Sequence, residues 1–230
     1  MCSSDLPLSG KTKMVADRLC RQVQEVVRYD MAHSPVELVG CEIKGITRWK
    51  VEVPEGEESY VDEVNLRYAL DRVDIVDGVI RVVDYKTGNA DVEAGRGLVD
   101  VFNGSGKSKY LLQLLIYAHL LEGLMQKNGE SVVDRDISMK IYDVHTIAAD
   151  GPITPTIGNK KITGFREKSV AVNTKDESVD PGSESLYDGF RQRLNMIINE
   201  IFNPDIPFKA RPDEENACRY CHLSDLCGRE

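Results

Sequence analysis

Leu70-Asp71-Arg72-Val73-Asp74-Ile75-Val76-Asp77-Gly78-Val79-Ile80-Arg81-Val82-Val83-Asp84-Tyr85-Lys86 is the stretch on which the fold turns. Asp77-Gly78 is the dipeptide that closes a two-residue hairpin, because both central positions of such a turn need positive φ. With Val76 opposite Val79, the register places Ile75 against Ile80, Asp74 against Arg81, Val73 against Val82, and Asp71 against Asp84. Every pair is complementary except the last.

Opposed residues of an antiparallel pair hold their Cβ atoms about 4.5–5.5 Å apart, and like charges there repel. Period-two alternation also places Asp71 and Asp84 on the face of Val73, Ile75, Ile80 and Val82, where desolvation raises the cost. A divalent cation resolves the conflict. Mg²⁺ takes carboxylate oxygens and keeps several waters, leaving room for a phosphate oxygen. Lys86 projects to the same face, where it can offset charge developing on a phosphate, and Tyr85 points the other way. The competing reading is an edge hairpin whose end aspartates splay into water beside a solvated lysine.

Working outward, Lys109 to Leu121 reads as a helix, apolar nearly all round and so buried, with Gln113 and Tyr117 one turn apart on one face. Residues 11 to 31 form an amphipathic helix with Met14, Val15, Leu19, Val23, Val26 and Val27 at helical spacing. Strands are expected over Val36 to Val53, over the hairpin of residues 64 to 86, over Asp136 to Thr146, and as a short addition at Ser169 to Val172. Residues 89 to 109, 150 to 165 and 173 to 183 read as loops. A last amphipathic helix spans Glu184 to Phe202, with Leu186, Phe190, Leu194, Ile197, Ile198 and Ile201 inward.

Two segments end like a phosphate-binding loop, Ser9-Gly10-Lys11-Thr12 and Gly104-Ser105-Gly106-Lys107-Ser108. Both lack the earlier glycine, with Asp5 and Val101 in its place, and both read as polar loops that bind no nucleotide.

The 230 residues, 41% of them hydrophobic, suffice for one sizeable core. No apolar run approaches the length of a membrane span, and the N-terminus has no secretory pattern, so a cytoplasmic protein with no membrane partner is expected. A net charge of −9 argues against gripping nucleic acid by bulk electrostatics. Metal at a site, or an attached motor, would have to compensate. Six cysteines in that compartment suggest metal before disulfide. Cys218-x2-Cys221 followed by Cys227 has ligand spacing, but three thiolates leave a tetrahedral site one short.

The motifs Leu70-Asp71-Arg72-Val73-Asp74 and Val83-Asp84-Tyr85-Lys86-Thr87-Gly88, with Gln113, Tyr117 and the cysteine tail, resemble the PD-(D/E)xK nuclease superfamily. The closer likeness is to its RecB and AddB type of nuclease domain. The resemblance implies an α/β, restriction-endonuclease-like core, a central mixed β-sheet flanked by helices, over residues 1 to 205, with a cysteine-bearing tail over 206 to 230. It implies that Asp71, Asp84 and the Tyr85 backbone carbonyl hold Mg²⁺ or Mn²⁺, that Lys86 is the catalytic lysine, and that Gln113 and Tyr117 line the site. DNA is then the substrate, with a helicase motor in the same polypeptide or supplied by a partner.

Two features of that type lack a clear counterpart. A histidine on an early helix usually adds a metal contact, and here only His33 and, as an acidic candidate, Glu42 come forward. A distant N-terminal cysteine usually completes a 4Fe-4S cluster. Cys2, Cys20 and Cys41 are candidates by number, the latter two reading more naturally as small buried thiols. Zinc with Cys2 or His222 is the next reading. A chain that is the C-terminal piece of a longer protein would account for both gaps, and the tail beyond about Pro212 would then lack its staple. A nuclease fold kept as a non-catalytic DNA-binding scaffold is the alternative function.

Overall fold

The computed structural model describes residues 9–88, 90, 92–95, 97–102, 108–127, 136–158, 160–166, 185–208, 218, 221–223 and 225–227. Strands β2 (Glu63–Val76) and β3 (Val79–Lys86) form the expected hairpin, with Val76 opposite Val79, Asp74 opposite Arg81 and Val73 opposite Val82. Asp77 and Gly78 have φ of 52° and 78°, as the tight turn requires. Strand β1 (Val36–Lys50) pairs antiparallel with β2, and β5 (Ile137–Asp143) pairs parallel with β3. Among the described residues the sheet order is β1-β2-β3-β5, a mixed sheet.

Parallel neighbours need a crossover, and helix α3 (Lys109–Lys127) supplies it between β3 and β5. Its Leu111, Leu114, Leu115 and Ala118 bury against Val73, Ile80, Val82, Met139 and Ile141, joined by Phe190 and Leu194 of α5 (Leu186–Phe202). Helix α1 (Gly10–Ala32) lies on the reverse face, where Val26 meets Val83, Tyr142 and Ile147, the last on the short α4 (Ile147–Asp150). The α/β architecture with a helix-flanked mixed sheet is therefore as expected.

Under α1 the sheet buries charge. Asp74 is fully buried and accepts from Arg72 Nε at 2.5 Å, Arg81 Nε at 2.6 Å and a terminal Arg81 nitrogen at 2.9 Å. Arg72 also donates to Asp30 of α1 and, at 3.1 Å, to the Tyr85 hydroxyl, while Tyr142 donates to Asp30 at 3.0 Å. Burial by itself would favour neutral guanidines. Bonds to Asp30 and Tyr85 at Arg72, and to Asp74 at Arg81, outweigh it and raise both pKa values, so the two guanidinium groups stay charged.

Several elements depart from expectation. Val15, Leu19, Val23, Val27 and Met31, an i+4 ridge along α1, are 49% to 70% exposed, as is Met14 at 73%, because the helix meets the body only near its C-terminal end. The segment read as a loop over 89 to 109 contains β4 (Glu93–Ala94) and α2 (Leu98–Phe102), whose Leu98 and Val101 are buried. Residues 150 to 165 hold β6 (Thr156–Ile157) and β7 (Lys160–Lys161), which join β4 in a small second sheet. The Gly, Pro and Thr content that signalled a loop reflects short strands anchored by Ile157, Ile162 and Phe165. Strand β1 ends at Lys50, β5 turns at Val144 into α4, and Ile201 faces solvent. Ser9-Gly10-Lys11-Thr12 is a helix start, the Ser9 hydroxyl accepting from the Thr12 N–H at 3.3 Å. Cys20 and Cys41 are exposed, not buried. The strand expected at 169 to 172, the loop at 173 to 183, Cys2, most of Gly104 to Lys107 and the chain between Pro212 and Ala217 lie outside the described residues.

His119 of α3 is enclosed by aromatic rings, stacked on Tyr187 at 4.2 Å between centroids and flanked by Trp49, Phe165 and Phe190. It is 7% exposed, and burial, aided by the charges of Arg191 and Arg166, lowers its pKa to about 3. The unfolded chain therefore takes up a proton below the usual imidazole pKa that the folded chain refuses until about pH 3, so stability falls as pH drops through that window. His119→Phe should remove this contribution of about 1.4 kcal/mol per pH unit. Urea unfolding of both proteins across mildly acidic pH tests it: the variant should gain on the wild type as pH falls, and a constant difference would refute the assignment. Asp74→Ala, which strands two buried guanidinium groups, should cost about 3–5 kcal/mol in the same assay.

Candidate functional site

The β2–β3 ladder stops at Arg72 opposite Val83, one step before the two aspartates. At the next step the Asp71 carboxylate turns into the gap and accepts the Tyr85 backbone N–H at 2.9 Å. Leu70 and Val73 both sit fully buried in the main core, although three positions apart on a strand should face opposite ways. The strand thus turns over at Asp71–Arg72. Across the β1 ladder, where Cys41 pairs with Arg72 and Ile43 with Leu70, the intervening Glu42 has φ 51°. Left-handed backbone is uncommon outside glycine, and it marks the same turnover on the neighbouring strand. Gly45 follows, where an added Cβ would fall 2.4 Å from the Tyr68 hydroxyl, so only glycine lets that ring cross the strand.

The directly opposed pair expected of Asp71 and Asp84 is therefore modified. The two are adjacent across the strands, but Asp71 bonds backbone where a regular ladder would have continued. Asp84 is 3% exposed. Lys86 Nζ pairs with Asp84 Oδ2 at 2.5 Å, and among the described residues nothing else donates to that buried oxygen. Burial raises the Asp84 pKa, Lys86 opposes the shift, and the neighbouring Asp71 charge adds to it.

Helix α3 brings the other groups. Gln113 Nε2 donates to the Tyr117 hydroxyl at 2.9 Å, so the two share one face as their spacing required. One turn earlier on that side, the Tyr110 ring lies 4.6 Å from Lys86 Nζ, a cation–π contact that the i, i+3 spacing to Gln113 could have indicated. Asp143, also unforeseen, stands in register beside Lys86 on β5, is nearly buried, and accepts the His145 backbone N–H at 2.9 Å. No pattern in the sequence marked it, because parallel register depends on the crossover.

Other candidates lie elsewhere. Tyr85 sends its side chain to Arg72 on the reverse face. His33 donates to the Tyr29 carbonyl at 2.8 Å and stacks on the Tyr29 ring, on the α1 side of the sheet. Glu42 is exposed and paired with Lys44 at 2.8 Å. In the tail, Cys218 and Cys221 form a turn in which the Cys221 N–H donates to the Cys218 carbonyl at 3.1 Å and the Leu223 N–H to Cys221 Sγ at 3.4 Å. Cys227 ends a short 3-10 turn begun at Asp225, and His222 is exposed. Among the described residues no three His, Cys, Asp or Glu side chains converge as a metal cage. Two adjacent carboxylates, one of them buried and balanced at Oδ2 by Lys86, fit Mg²⁺ or Mn²⁺, which use few protein ligands and retain water.

Comparison with known proteins agrees with this geometry. The family model of the PD-(D/E)XK nuclease superfamily matches residues 3–228. The chain is 25% identical over 203 residues to the B-type subunit of the ATP-dependent helicase/deoxyribonuclease of Thermoanaerobacter sp. (strain X514) and to that of Thermoanaerobacter pseudethanolicus (strain ATCC 33223 / 39E). Each match covers 72% of this chain and 17% of the relative, so the chain spans about a sixth of the length of these curated relatives. No helix among the described residues is long and apolar enough to cross a membrane.

Because burial disfavours the Asp84 carboxylate more than Lys86 supports it, Asp84→Asn should stabilise the metal-free fold and raise its Tm. Asp71→Ala, which leaves the Tyr85 N–H without its acceptor, should instead cost about 1–3 kcal/mol. Thermal melts in chelator check both signs, and a destabilised Asp84→Asn would contradict the desolvation argument.

Proposed function

The chain belongs to the PD-(D/E)XK nuclease superfamily, and from that premise we propose that it is a divalent-metal-dependent deoxyribonuclease that hydrolyses phosphodiester bonds. The observation that carries this reading is the buried Asp84 carboxylate beside Asp71, whose Oδ2 has Lys86 as its partner among the described residues. Asp71, Asp84 and the Tyr85 backbone carbonyl would hold Mg²⁺ or Mn²⁺, which supplies Lewis-acid activation of a phosphate oxygen and of water. With positive charge supplied at Asp84 in that way, Lys86 would be free to leave its ion pair there.

Lys86 then faces the scissile phosphate with its ammonium, stabilising charge that grows in the transition state. Tyr110 holds that ammonium in place through its ring, and Gln113 with Tyr117 presents a coupled amide and hydroxyl along the substrate's path. Asp71 keeps the end of β3 in position through the Tyr85 N–H. The named relatives suggest work beside a helicase motor, and a role in DNA repair or recombination is part of our proposal. Cys218, Cys221 and Cys227 are suited to three ligands of a 4Fe-4S cluster or zinc whose fourth comes from elsewhere, and the N–H bond to Cys221 Sγ is the kind that tunes metal thiolates. The alternative, a scaffold that binds DNA without cutting it, draws on the placement of His33 away from the carboxylates.

Asp84→Ala removes a ligand and Lys86→Ala removes transition-state charge, so each should lower DNA cleavage by at least about 10²-fold while circular dichroism stays native. Wild-type rates in both variants would sink the enzyme reading. Metal-dependent DNA binding with no cleavage by the wild type would favour the scaffold.

A further inference from the structure

Between edge strand β1 and helices α3 and α5 lies a cleft of about 220 Å³ lined by Arg48, Trp49, Lys50, His119, Tyr187 and Arg191. No role in the site above uses it. Its walls combine cations with stacked rings, the pairing that single-stranded nucleic acid meets in proteins that grip it by phosphate and base together. Lys50 has no ion pair among the described residues. Arg48 and Arg191 are held by Glu63 at 3.6 Å and Glu52 at 2.9 Å in exposed pairs, the sort worth little and readily exchanged for a phosphate. Arg166 sits 5.6 Å from the Tyr187 ring. The back wall is His119, nearly buried among aromatic rings. Besides burial, Arg191 and Arg166 suppress its protonation, so the positive potential reaches into the wall.

Helix α3 contributes residues both to the cleft and to the carboxylate site. Tyr110, which covers Lys86, is followed by Gln113, Tyr117 and Leu120 at i, i+3, i+7 and i+10, one side of α3, and Leu120 lines the cleft. Ten residues of helix span about 15 Å. That is about four nucleotides at the stacked rise of about 3.4 Å per strand, and fewer if the strand is extended. The neighbouring larger cleft shares Arg191 but is rimmed by Glu52, Glu55 and Asp188, which would repel a phosphate.

We propose that this cleft is a distal phosphate subsite for a single strand of nucleic acid that runs along the Tyr110–Gln113–Tyr117 side of α3 to the carboxylates. The inference rests on the nuclease reading for its direction, but the binding it asserts can be measured without cleavage. It explains how a chain of net charge −9 holds a polyanion: the contact is made by a few local cations around stacked rings, so the bulk charge matters less.

The test uses the Arg48→Ala/Lys50→Ala double variant, both positions exposed on β1, with exposed Lys13→Ala on α1 as control. Steady-state cleavage of oligothymidylates about two and about twelve nucleotides long is compared in Mg²⁺. On the long substrate the double variant should lose about tenfold in kcat/KM through KM with kcat retained, and on the short one, which cannot span the helix, it should match wild type. The logarithmic salt dependence of long-oligonucleotide binding, read by anisotropy in chelator, should flatten by about 1.4, two phosphates at about 0.7 each for a single strand. Equal loss on short and long substrates, or a loss shared by Lys13→Ala, would overturn the subsite, as would an unchanged salt slope. Displacement of the long oligonucleotide by equimolar thymidine monophosphate would assign the cleft to a mononucleotide instead and also overturn it. A wild type that cleaves neither substrate would end the nuclease reading, while the chelator titration would still decide the cleft.

Discussion

Asp74 sits at zero exposure with three guanidinium hydrogen bonds from Arg72 and Arg81, and the position of everything else follows from that clamp. A buried carboxylate is tolerable only when its charge is matched and its lone pairs are filled, and here both conditions are met by residues on two adjacent strands. Arg72 then reaches Asp30, which is how α1, otherwise poorly attached, is held to the sheet. Because charge pairing is directional where apolar packing is not, the clamp locks the β2–β3 register that carries Asp71 and Asp84 to the same end of the hairpin.

Two paired arginines on one face contrast with two poorly paired aspartates on the other. Asp74 is fully satisfied three residues from Asp71, whose neighbour Asp84 is balanced at Oδ2 by the single cation Lys86 among the described residues. The same chain segment thus has a structural carboxylate and one held in readiness, and burial treats them differently because only the first has guanidinium partners. The turnover at Asp71 and Glu42 is what separates the two environments. It ends the ladder, frees the Asp71 side chain for the Tyr85 N–H, and interrupts the sheet beside Asp84. Unmet polar capacity of this kind is a usual mark of a working site, since stability is given up locally for chemistry.

Helix α3 is the element that links these strands to the rest. Its buried leucines anchor it in the core, while the Tyr110, Gln113 and Tyr117 side stays half open from Lys86 towards the aromatic cluster around His119. One helix therefore serves packing on one side and alignment on the other. The exposed ridge on α1 has no such double use within this chain, and its apolar spacing marks helix formation without marking what it covers.

The sequence by itself determined the hairpin, its turn and its register, because Asp-Gly at a two-residue turn leaves little choice and alternation does the rest. It determined that Asp71, Asp84 and Lys86 gather at one end, and that Gln113 and Tyr117 share a helix face, since both are local periodicities. Only the tertiary structure decided where the ladder stops. The turnover at Asp71 depends on a left-handed Glu42 in another strand, and no pattern within β2 encodes it. Tertiary packing likewise placed Tyr110 over Lys86, Asp143 beside it, His33 behind the sheet and Cys20 in solvent. It also made β4, β6 and β7 out of segments whose composition suggests loops. The physical reason is common to all of these: short-range periodicity fixes which residues share a face, whereas the partner that face meets is set by contacts between elements distant in sequence.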